Sequence, residues 1–287
     1  MSKSQPARLV VVRTESVAPS MVRVVFGGDG FADFAARHAA LNATASQGRF
    51  TDEYVKLVFL VEGFDYPQPL DLDVVRETMP HEAWPTLRTY TIRWIDHEAR
   101  ELAIDFVVHG DAGVAGPWAA SAQPGDVLHL RGPSGAYAPD PAADWHLFVG
   151  DEAGLPAIAA ALEALEPGAR AVAFLEVEGA ADEIELTSAA DLELHWLHRR
   201  DHQPGFTSLL DDAVRAFSWL PGRVQAFVHG ESTLLKTVRP HLFDGRQVPR
   251  ADVSVSGYWR RGETEEGFRV WKSQQTEPAV LRPGAAR

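Results

Sequence analysis

Cysteine is absent from this chain of 287 residues, and its absence excludes several kinds of redox protein. Without thiols the protein has no disulfide bonds, no thiolate-bound iron–sulfur clusters and no cysteine nucleophile. Any redox chemistry must therefore use a bound organic cofactor.

Long apolar runs and net positive charge are absent as well. No apolar run reaches the roughly 20 residues that a membrane helix needs, and residues 1–6 lack the apolar segment of a signal peptide. The formal net charge of −13 disfavours nucleic acid and anionic membranes as partners, because most of the surface would repel both. We expect a soluble, cytoplasmic protein, and we expect it to be a monomer.

Two patterns of secondary structure divide the chain. Six short apolar segments separated by Gly, Pro and Asp turns predict an N-terminal antiparallel six-stranded β-barrel. After a connection that contains Pro133, Pro139 and Pro141, strands and helices alternate, which predicts a C-terminal parallel-sheet α/β domain. The fold class is therefore mixed β and α/β, with predicted domains at residues 1–143 and 144–262 and a tail at residues 263–287. The predicted barrel strands are residues 8–13, 21–26, 54–61, 87–95, 101–109 and 126–131, with residues 31–53 and 63–86 as loops or short helices.

The run Arg88-Thr89-Tyr90-Thr91-Ile92-Arg93 places a cation, an aromatic ring and hydroxyl groups on one predicted strand. Alternation puts Arg88, Tyr90 and Ile92 on one face and Thr89, Thr91 and Arg93 on the other. A guanidinium pairs with pyrophosphate, an aromatic ring covers a sugar or an isoalloxazine, and a hydroxyl reaches flavin N5. The run is a candidate flavin site, and ordinary sheet surface is the alternative.

Further motifs follow in a fixed order, and together they resemble the siderophore-interacting protein family over approximately residues 7 to 262. That family consists of flavin-containing ferric-siderophore reductases with a ferredoxin-reductase-like architecture. The motifs are Val107-Val108-His109-Gly110, Gly116-Pro117-Trp118-Ala119, Gly132-Pro133-Ser134-Gly135, the segment Gly150 to Ala157, and Ser256-Gly257-Tyr258-Trp259-Arg260-Arg261-Gly262.

The resemblance implies FAD as the cofactor. A helix that starts near Gly116 would offer free N–H groups to a diphosphate, although a turn with a core tryptophan fits the same residues. By similarity to the family, Thr91 tunes flavin N5 and is the one predicted catalytic residue. The predicted cofactor-binding residues are Arg88, Thr89, Tyr90, Thr91, Val107, His109, Gly116, Pro117, Trp118, Ala119, Tyr258 and Trp259.

The segment that starts at Gly150 occupies the phosphate-binding position of a dinucleotide fold but lacks the Gly-x-Gly-x-x-Gly pattern. Carboxylates would repel a phosphate, so we predict that Asp151 and Glu152 accept hydrogen bonds from ribose hydroxyls or the nicotinamide amide. Arg199 and Arg200 are candidates for contact with a 2′-phosphate, which hints at NADPH. The predicted nicotinamide-binding residues are Gly150, Asp151, Glu152, Ala153, Glu176, Arg199 and Glu231.

Cations near the flavin are candidates for binding an anionic chelate. Arg260 and Arg261 follow the aromatic pair Tyr258-Trp259, and solvated arginines beside a packed aromatic are the alternative. No metal bound by protein side chains is predicted, because His195 and His198 would point to opposite faces of a strand. The predicted chelate-binding residues are Lys56, Arg93, Arg260, Arg261 and Lys272.

The predicted function is flavin-dependent reduction of a ferric siderophore, with NADH or NADPH as electron donor and release of Fe(II) in the cytoplasm. A nicotinamide delivers two electrons as hydride whereas ferric iron accepts one, and a flavin does both. Two alternatives stay open. One is another flavin reductase of the same architecture, and the other is a siderophore-binding flavoprotein that ferredoxin reduces or that is not turned over. Relatives usually carry Thr and Ala where this chain has Ala153 and Gly154, which keeps the second alternative open.

Overall fold

The structure is a computed structural model that describes residues 5–45, 48–108, 110, 113–200, 202–263 and 267–268. Its first half contains β1 (Ala7–Ala18), β2 (Met21–Gly27), α1 (Phe31–Asn42), β3 (Tyr54–Phe59), α2 (Leu72–Thr78), β4 (Thr86–Asp96), β5 (Glu101–Val107), α3 (Ala115–Ser121) and β6 (Val127–Ser134). The six strands close into an antiparallel barrel, as predicted. Their order around the barrel is β1-β2-β5-β4-β3-β6.

Alternate side chains of the barrel strands point inward and form one apolar core. Leu9, Val55, Ile92 and Leu130 are buried in this core on four different strands. Because successive residues of a strand face opposite sides, the remaining side chains lie on the outer surface of the barrel. The polar half of β4 is therefore available to a ligand or to the second domain.

The second half forms a parallel sheet with helices on both faces, which confirms the predicted fold class. The strand order is β11-β10-β7-β8-β9, so the first strand of this half lies in the middle of the sheet. The elements are β7 (Trp145–Asp151), α4 (Leu155–Glu163), β8 (Arg170–Val177), β9 (Asp191–His198), α5 (Leu209–Ala216), β10 (Val224–Glu231), α6 (Val238–Pro240) and β11 (Val253–Trp259). The domain boundaries themselves stay a prediction.

One predicted segment differs in the structure, and two others are now defined. The alternation of strands and helices predicts a helix between β10 and β11, but the structure divides that stretch into a 3₁₀ turn at Ser232–Leu235, α6 and a π-helical turn at His241–Gly245. Pro240 explains part of the break, because proline has no N–H to donate and its ring crowds the preceding turn. The regions expected as loops or short helices contain α1 and α2, and the carboxylate of Asp71 caps α2 by accepting from the N–H groups of Asp73 and Val74.

A chain of ion pairs joins the barrel to the second domain. Asp105 on β5 accepts two hydrogen bonds from Arg23 on β2, at 2.7 and 2.9 Å. The guanidinium of Arg93 on β4 lies 4.0 Å from the same carboxylate and donates to both carboxylate oxygens of Glu163, the last residue of α4. The flavin-motif strand and the first helix of the second domain are thus held in one arrangement.

The start of the second domain packs directly on the backbone of β10. A Cβ atom on Gly150 would lie 2.7 Å from the carbonyl oxygen of His229 and 2.7 Å from Cδ1 of Ile158, and one on Gly154 would lie 2.2 Å from the same carbonyl. These distances are below any normal Cβ contact, so the turn that leads into α4 requires glycine at both positions for steric reasons.

Replacement of Gly150 by alanine tests this packing. We expect Gly150→Ala to lower the free energy of unfolding by roughly 1–3 kcal/mol, because the added methyl group meets a backbone atom that cannot move alone. Urea denaturation followed by tryptophan fluorescence measures the change. Gly179→Ala is the matched control, since Gly179 has a φ of −161° and no heavy atom within 4 Å of an added Cβ. Equal stability of the two variants would contradict the steric explanation.

Candidate functional site

The outer face of the barrel meets the end of β11, and two predicted site residues come together there. The side chain of Thr91 on β4 interacts with the hydroxyl of Tyr258 on β11 and partly opposes the effect of burial on the Tyr258 pKa. Burial is the main cause that raises the pKa of the Tyr258 hydroxyl above its ordinary value. Two uncharged hydroxyl groups, one from each domain, therefore lie at the junction of the two domains.

Register places further polar side chains on the same outer face. Across β3 and β4, Tyr54 lies opposite Thr91 and Lys56 lies opposite Thr89. On the other side of β3, Lys56 pairs in register with Arg131 of β6. Lys56 and Arg131 thus form a pair of cations beside the strand that carries the flavin motif.

Ile92 points to the inner side of β4, and Tyr90 shares that face but is only half-buried against the core, which confirms the predicted alternation. Ile92 is in the barrel core, and the ring of Tyr90 lies 4.6 Å from that of Phe106. Trp118 of α3 stacks in the same aromatic cluster, 5.8 Å from Phe106 and 6.1 Å from Phe26. The indole of Trp118 therefore packs against the barrel core. This agrees with the alternative interpretation of that motif, a turn with a core tryptophan.

The remaining residues of the predicted flavin site surround this strand. Arg88 is half-buried and donates to the carbonyl of Leu87 at 2.9 Å. A Cβ on Gly116 would lie 3.2 Å from the carbonyl of Val107, so the backbone of α3 lies close to the end of β5. Pro117 is half-buried and Ala119 is buried in the core, whereas His109 lies outside the described residues. A guanidinium, an aromatic ring and hydroxyl groups on and beside one strand make a donor set that suits FAD.

At the carboxyl edge of the sheet, the carboxylate of Asp151 is already occupied by the protein. One oxygen accepts from the N–H groups of Ala153 and Gly154 at 2.9 and 3.2 Å. The other accepts from the N–H of Glu231 at 2.9 Å and from the indole Nε1 of Trp259 at 2.8 Å. Asp151 joins β7, α4, β10 and β11, which differs from the ligand contact expected from the sequence, and Trp259 is engaged here rather than with a flavin.

A buried ion pair lies beside Asp151. Nη1 of Arg199, a residue only 1% exposed, is 2.5 Å from Oε1 of Glu152, but no nitrogen of this guanidinium has a hydrogen bond of good geometry within the described part of the chain. Burial raises the pKa of Glu152 to about 7, with repulsion by Asp151 as the next cause and Arg199 opposing both. Arg199 is therefore enclosed beside Glu152, and its contact with a 2′-phosphate stays a prediction.

The segment at residues 202–207, which we call the strap, crosses this edge of the sheet. Thr207 donates to Glu176 at 2.6 Å, and a Cβ on Gly205 would lie 3.0 Å from Cγ of Glu231. Arg261 donates to the carbonyl of Gly205 at 2.9 Å and its guanidinium lies 3.7 Å from the centre of the Phe206 ring. The strap therefore covers the place where the sequence predicts a nicotinamide.

Two more predicted residues have partners within the protein. The carboxylate of Glu231 accepts from the N–H groups of Thr233 at 2.5 Å and Arg261 at 3.3 Å, so it caps the turn that follows β10. Arg93, expected at the chelate site, is buried in the ion-pair chain with Asp105 and Glu163 instead. In both cases an oppositely charged group or a backbone N–H of the protein itself is the partner of the side chain.

The other predicted chelate residues separate into different places. Lys56 is half-buried on the outer face of the barrel, whereas Lys272 lies outside the described residues. Arg260 and Arg261 border a polar cavity of about 190 Å³ at the end of β10 and β11. Sequence reasoning missed Tyr54 and Arg131, and the period-2 alternation of β3 and β6 was the signal that could have found them. The polar cavity at the end of β10 and β11 is lined by Glu231, Ser232, Thr233, Lys236, Arg260 and Arg261.

A closed antiparallel barrel followed by a five-stranded parallel sheet is the ferredoxin-reductase-like fold. Residues 10–137 match the family described as siderophore-interacting FAD-binding domain, and residues 143–262 match the family described as siderophore-interacting protein. The chain belongs to the siderophore-interacting protein family.

Named relatives and a solved structure agree with this assignment. The chain is 47% identical to an uncharacterized protein of Mycobacterium tuberculosis (93% of this chain, 94% of that protein). It is 35% identical to the ferric vibriobactin reductase ViuB of Vibrio cholerae (64% and 68%) and 31% identical to the NADPH-dependent ferric-chelate reductase of Escherichia coli (88% and 91%). The crystal structure of a siderophore utilization protein from T. fusca is similar with a TM-score of 0.74 and 37% identity, covering 90% of this chain and 93% of that one.

The raised pKa of Glu152 predicts how stability depends on pH. The folded protein keeps a proton that the unfolded chain loses near the ordinary value of 4.5, so this group makes the free energy of unfolding fall as the pH rises from about 4.5 to about 7. Glu152→Gln imitates the neutral form at every pH. From about pH 5.5 to about pH 8.5 we expect the wild type to lose about 2 kcal/mol relative to this variant.

Urea denaturation at the two pH values measures the difference. Glu166→Gln, at an exposed residue just before β8, is the control and should keep a constant offset from the wild type. A constant offset for Glu152→Gln as well would show that Glu152 titrates normally.

Proposed function

We propose that this protein is an FAD-dependent reductase of ferric siderophores that takes its electrons from a nicotinamide dinucleotide and releases Fe(II) in the cytoplasm. The observation that carries the proposal is the contact of Thr91 with Tyr258, which joins the predicted flavin strand to the carboxyl edge of the parallel sheet. Family membership and the names of the Vibrio and Escherichia relatives support it. Within the described residues no helix is long and apolar enough to cross a membrane.

The residues around β4 have distinct roles in this proposal. Arg88 pairs with the phosphates of FAD, and Tyr90 lies against its ribityl and isoalloxazine side. The hydroxyl of Thr91, beside Tyr258, would donate to flavin N5. FAD, when bound, accepts two electrons together and passes them on singly.

The substrate needs no protein ligand for its iron, because the siderophore holds hard Fe(III) through oxygen atoms and reduction weakens that hold. The protein therefore recognises the ferric siderophore by the negative charge of the chelate. Lys56 and Arg131, paired in register on the outer face of β3 and β6, attract an anionic chelate to the flavin side of the barrel. We assign Arg260 and Arg261 to the same substrate approach from the second domain.

The strap favours one second candidate. Thr207 on Glu176 and Gly205 against Glu231 fill the carboxyl edge of the sheet, where a nicotinamide would lie. If the strap stays closed, a one-electron protein donor such as ferredoxin replaces the nicotinamide, and the flavin side of the proposal is unchanged.

Anaerobic visible spectroscopy tests the proposal. We expect purified protein to be yellow, to lose the absorption of oxidised flavin when NADH or NADPH is added, and to regain it when a ferric siderophore and an Fe(II)-trapping dye follow. Colour from the trapped Fe(II) measures the product. A colourless protein that does not take up added FAD would refute the flavin assignment, and a yellow protein that neither nicotinamide reduces would favour the ferredoxin-dependent candidate.

The cation pair on the barrel generates a second test. We expect Lys56→Gln and Arg131→Gln each to raise the KM for an anionic ferric siderophore roughly tenfold with little change in kcat. The reason is that the two cations attract the chelate but take no part in electron transfer from the flavin. Raising the ionic strength should reduce the difference in KM between each variant and the wild type, because salt screens the attraction. Arg170→Gln removes one positive charge at the exposed amino end of β8 and should leave the KM unchanged. A fall in kcat at constant KM would contradict this role.

A further inference from the structure

The direction in which a dinucleotide lies along the sheet follows from the strand order. Thr91 and Tyr258 mark the flavin, and Tyr258 belongs to β11, the edge strand of the sheet. A nicotinamide that reaches the flavin there leaves the rest of the dinucleotide to extend across β10 and β7 towards β8 and β9. Its adenosine end therefore meets the carboxyl ends of β8 and β9.

Carboxylates dominate this far end. Glu152 follows β7 and Glu176 lies near the end of β8, and both are buried. Arg199 after β9 is the cation among them, but it is itself buried, and its closest partner is Glu152 at 2.5 Å. A phosphate could reach this guanidinium only by separating the pair, and it would then face both carboxylates.

A ribose diol meets the same groups favourably. Carboxylate oxygens accept hydrogen bonds from hydroxyl groups, and an acidic side chain at this kind of strand end holds the 2′-hydroxyl of NAD in other dinucleotide folds. The hydroxyl of Thr207 already donates to Glu176 at 2.6 Å, so a ribose hydroxyl replaces a contact of its own kind when the strap moves. A dianionic 2′-phosphate has no hydrogen to donate and is repelled.

From these observations we propose that Glu152 and Glu176 select NADH over NADPH by excluding a 2′-phosphate from the carboxyl ends of β8 and β9. The proposal rests on the proposed function, because it presumes a nicotinamide donor. It runs against the hint of NADPH that the Arg199-Arg200 pair gives in the sequence. Arg200 is exposed beside this site and offers a phosphate one cation, whereas Glu176 and the neighbouring Asp151 leave negative charge there that the Arg199–Glu152 pair does not cancel.

Equilibrium binding of the oxidised dinucleotides tests the selection without turnover. Isothermal titration calorimetry of the FAD-loaded protein at about pH 8, where Glu152 with its pKa of about 7 is ionised, compares NAD⁺ with NADP⁺. We expect NAD⁺ to bind at least about tenfold more tightly than NADP⁺. Glu152→Gln and Glu176→Gln should each tighten NADP⁺ binding roughly fivefold, and Glu176→Gln should also weaken NAD⁺ binding.

The control separates local from global charge. Glu166→Gln makes the same charge change at the opposite, amino edge of the sheet and should leave both affinities unchanged. NADP⁺ binding as tight as NAD⁺ binding in the wild type would overturn the selection while leaving the nicotinamide donor in place. Binding of neither dinucleotide would overturn the nicotinamide donor itself, and the selection with it.

Discussion

The buried carboxylate of Asp151 is the constraint on which the second domain depends. Its oxygens accept from Ala153 and Gly154 at the start of α4, from Glu231 on β10 and from Trp259 on β11. The protein's own anion thus occupies the end of the helix where many dinucleotide folds hold a phosphate. The first turn is consequently tight, with glycine against the β10 backbone, and a ligand must bind beside this carboxylate rather than in its place.

The barrel and the sheet are joined at more than one level, which keeps the two halves of the site in register. Arg93 connects β4 to the end of α4, and Asp182 of the second domain accepts from the N–H and the hydroxyl of Ser20 at 3.1 and 2.6 Å. The contact of Thr91 with Tyr258 is a further link between the barrel and the second domain. Electron transfer between two bound groups requires such fixed positioning, because small displacements are costly.

Local sequence patterns were sufficient to predict the fold. The site was harder to predict, because several of its residues contact partners that are far away in the sequence. Alternation and turn residues identified all six barrel strands and the order of elements in the second domain, because both signals lie within a few residues. The roles of Arg93 and Trp259 were wrong or displaced because their partners, Glu163 and Asp151, are 70 and 108 residues away in the sequence. Only the folded chain shows which charges cancel, and the family resemblance assigned Thr91 and Tyr258 to the same flavin without predicting their contact.

The strap and the flavin face share a single strand end. Arg261, which holds Gly205 and Phe206, follows closely after Tyr258, which holds Thr91. Arg261 and Tyr258 are three residues apart, so the strap and the Thr91 side of the barrel are held by the same short stretch of backbone. On the proposed function, one strand end therefore carries both the contact that covers the donor side and the contact that reaches the flavin side.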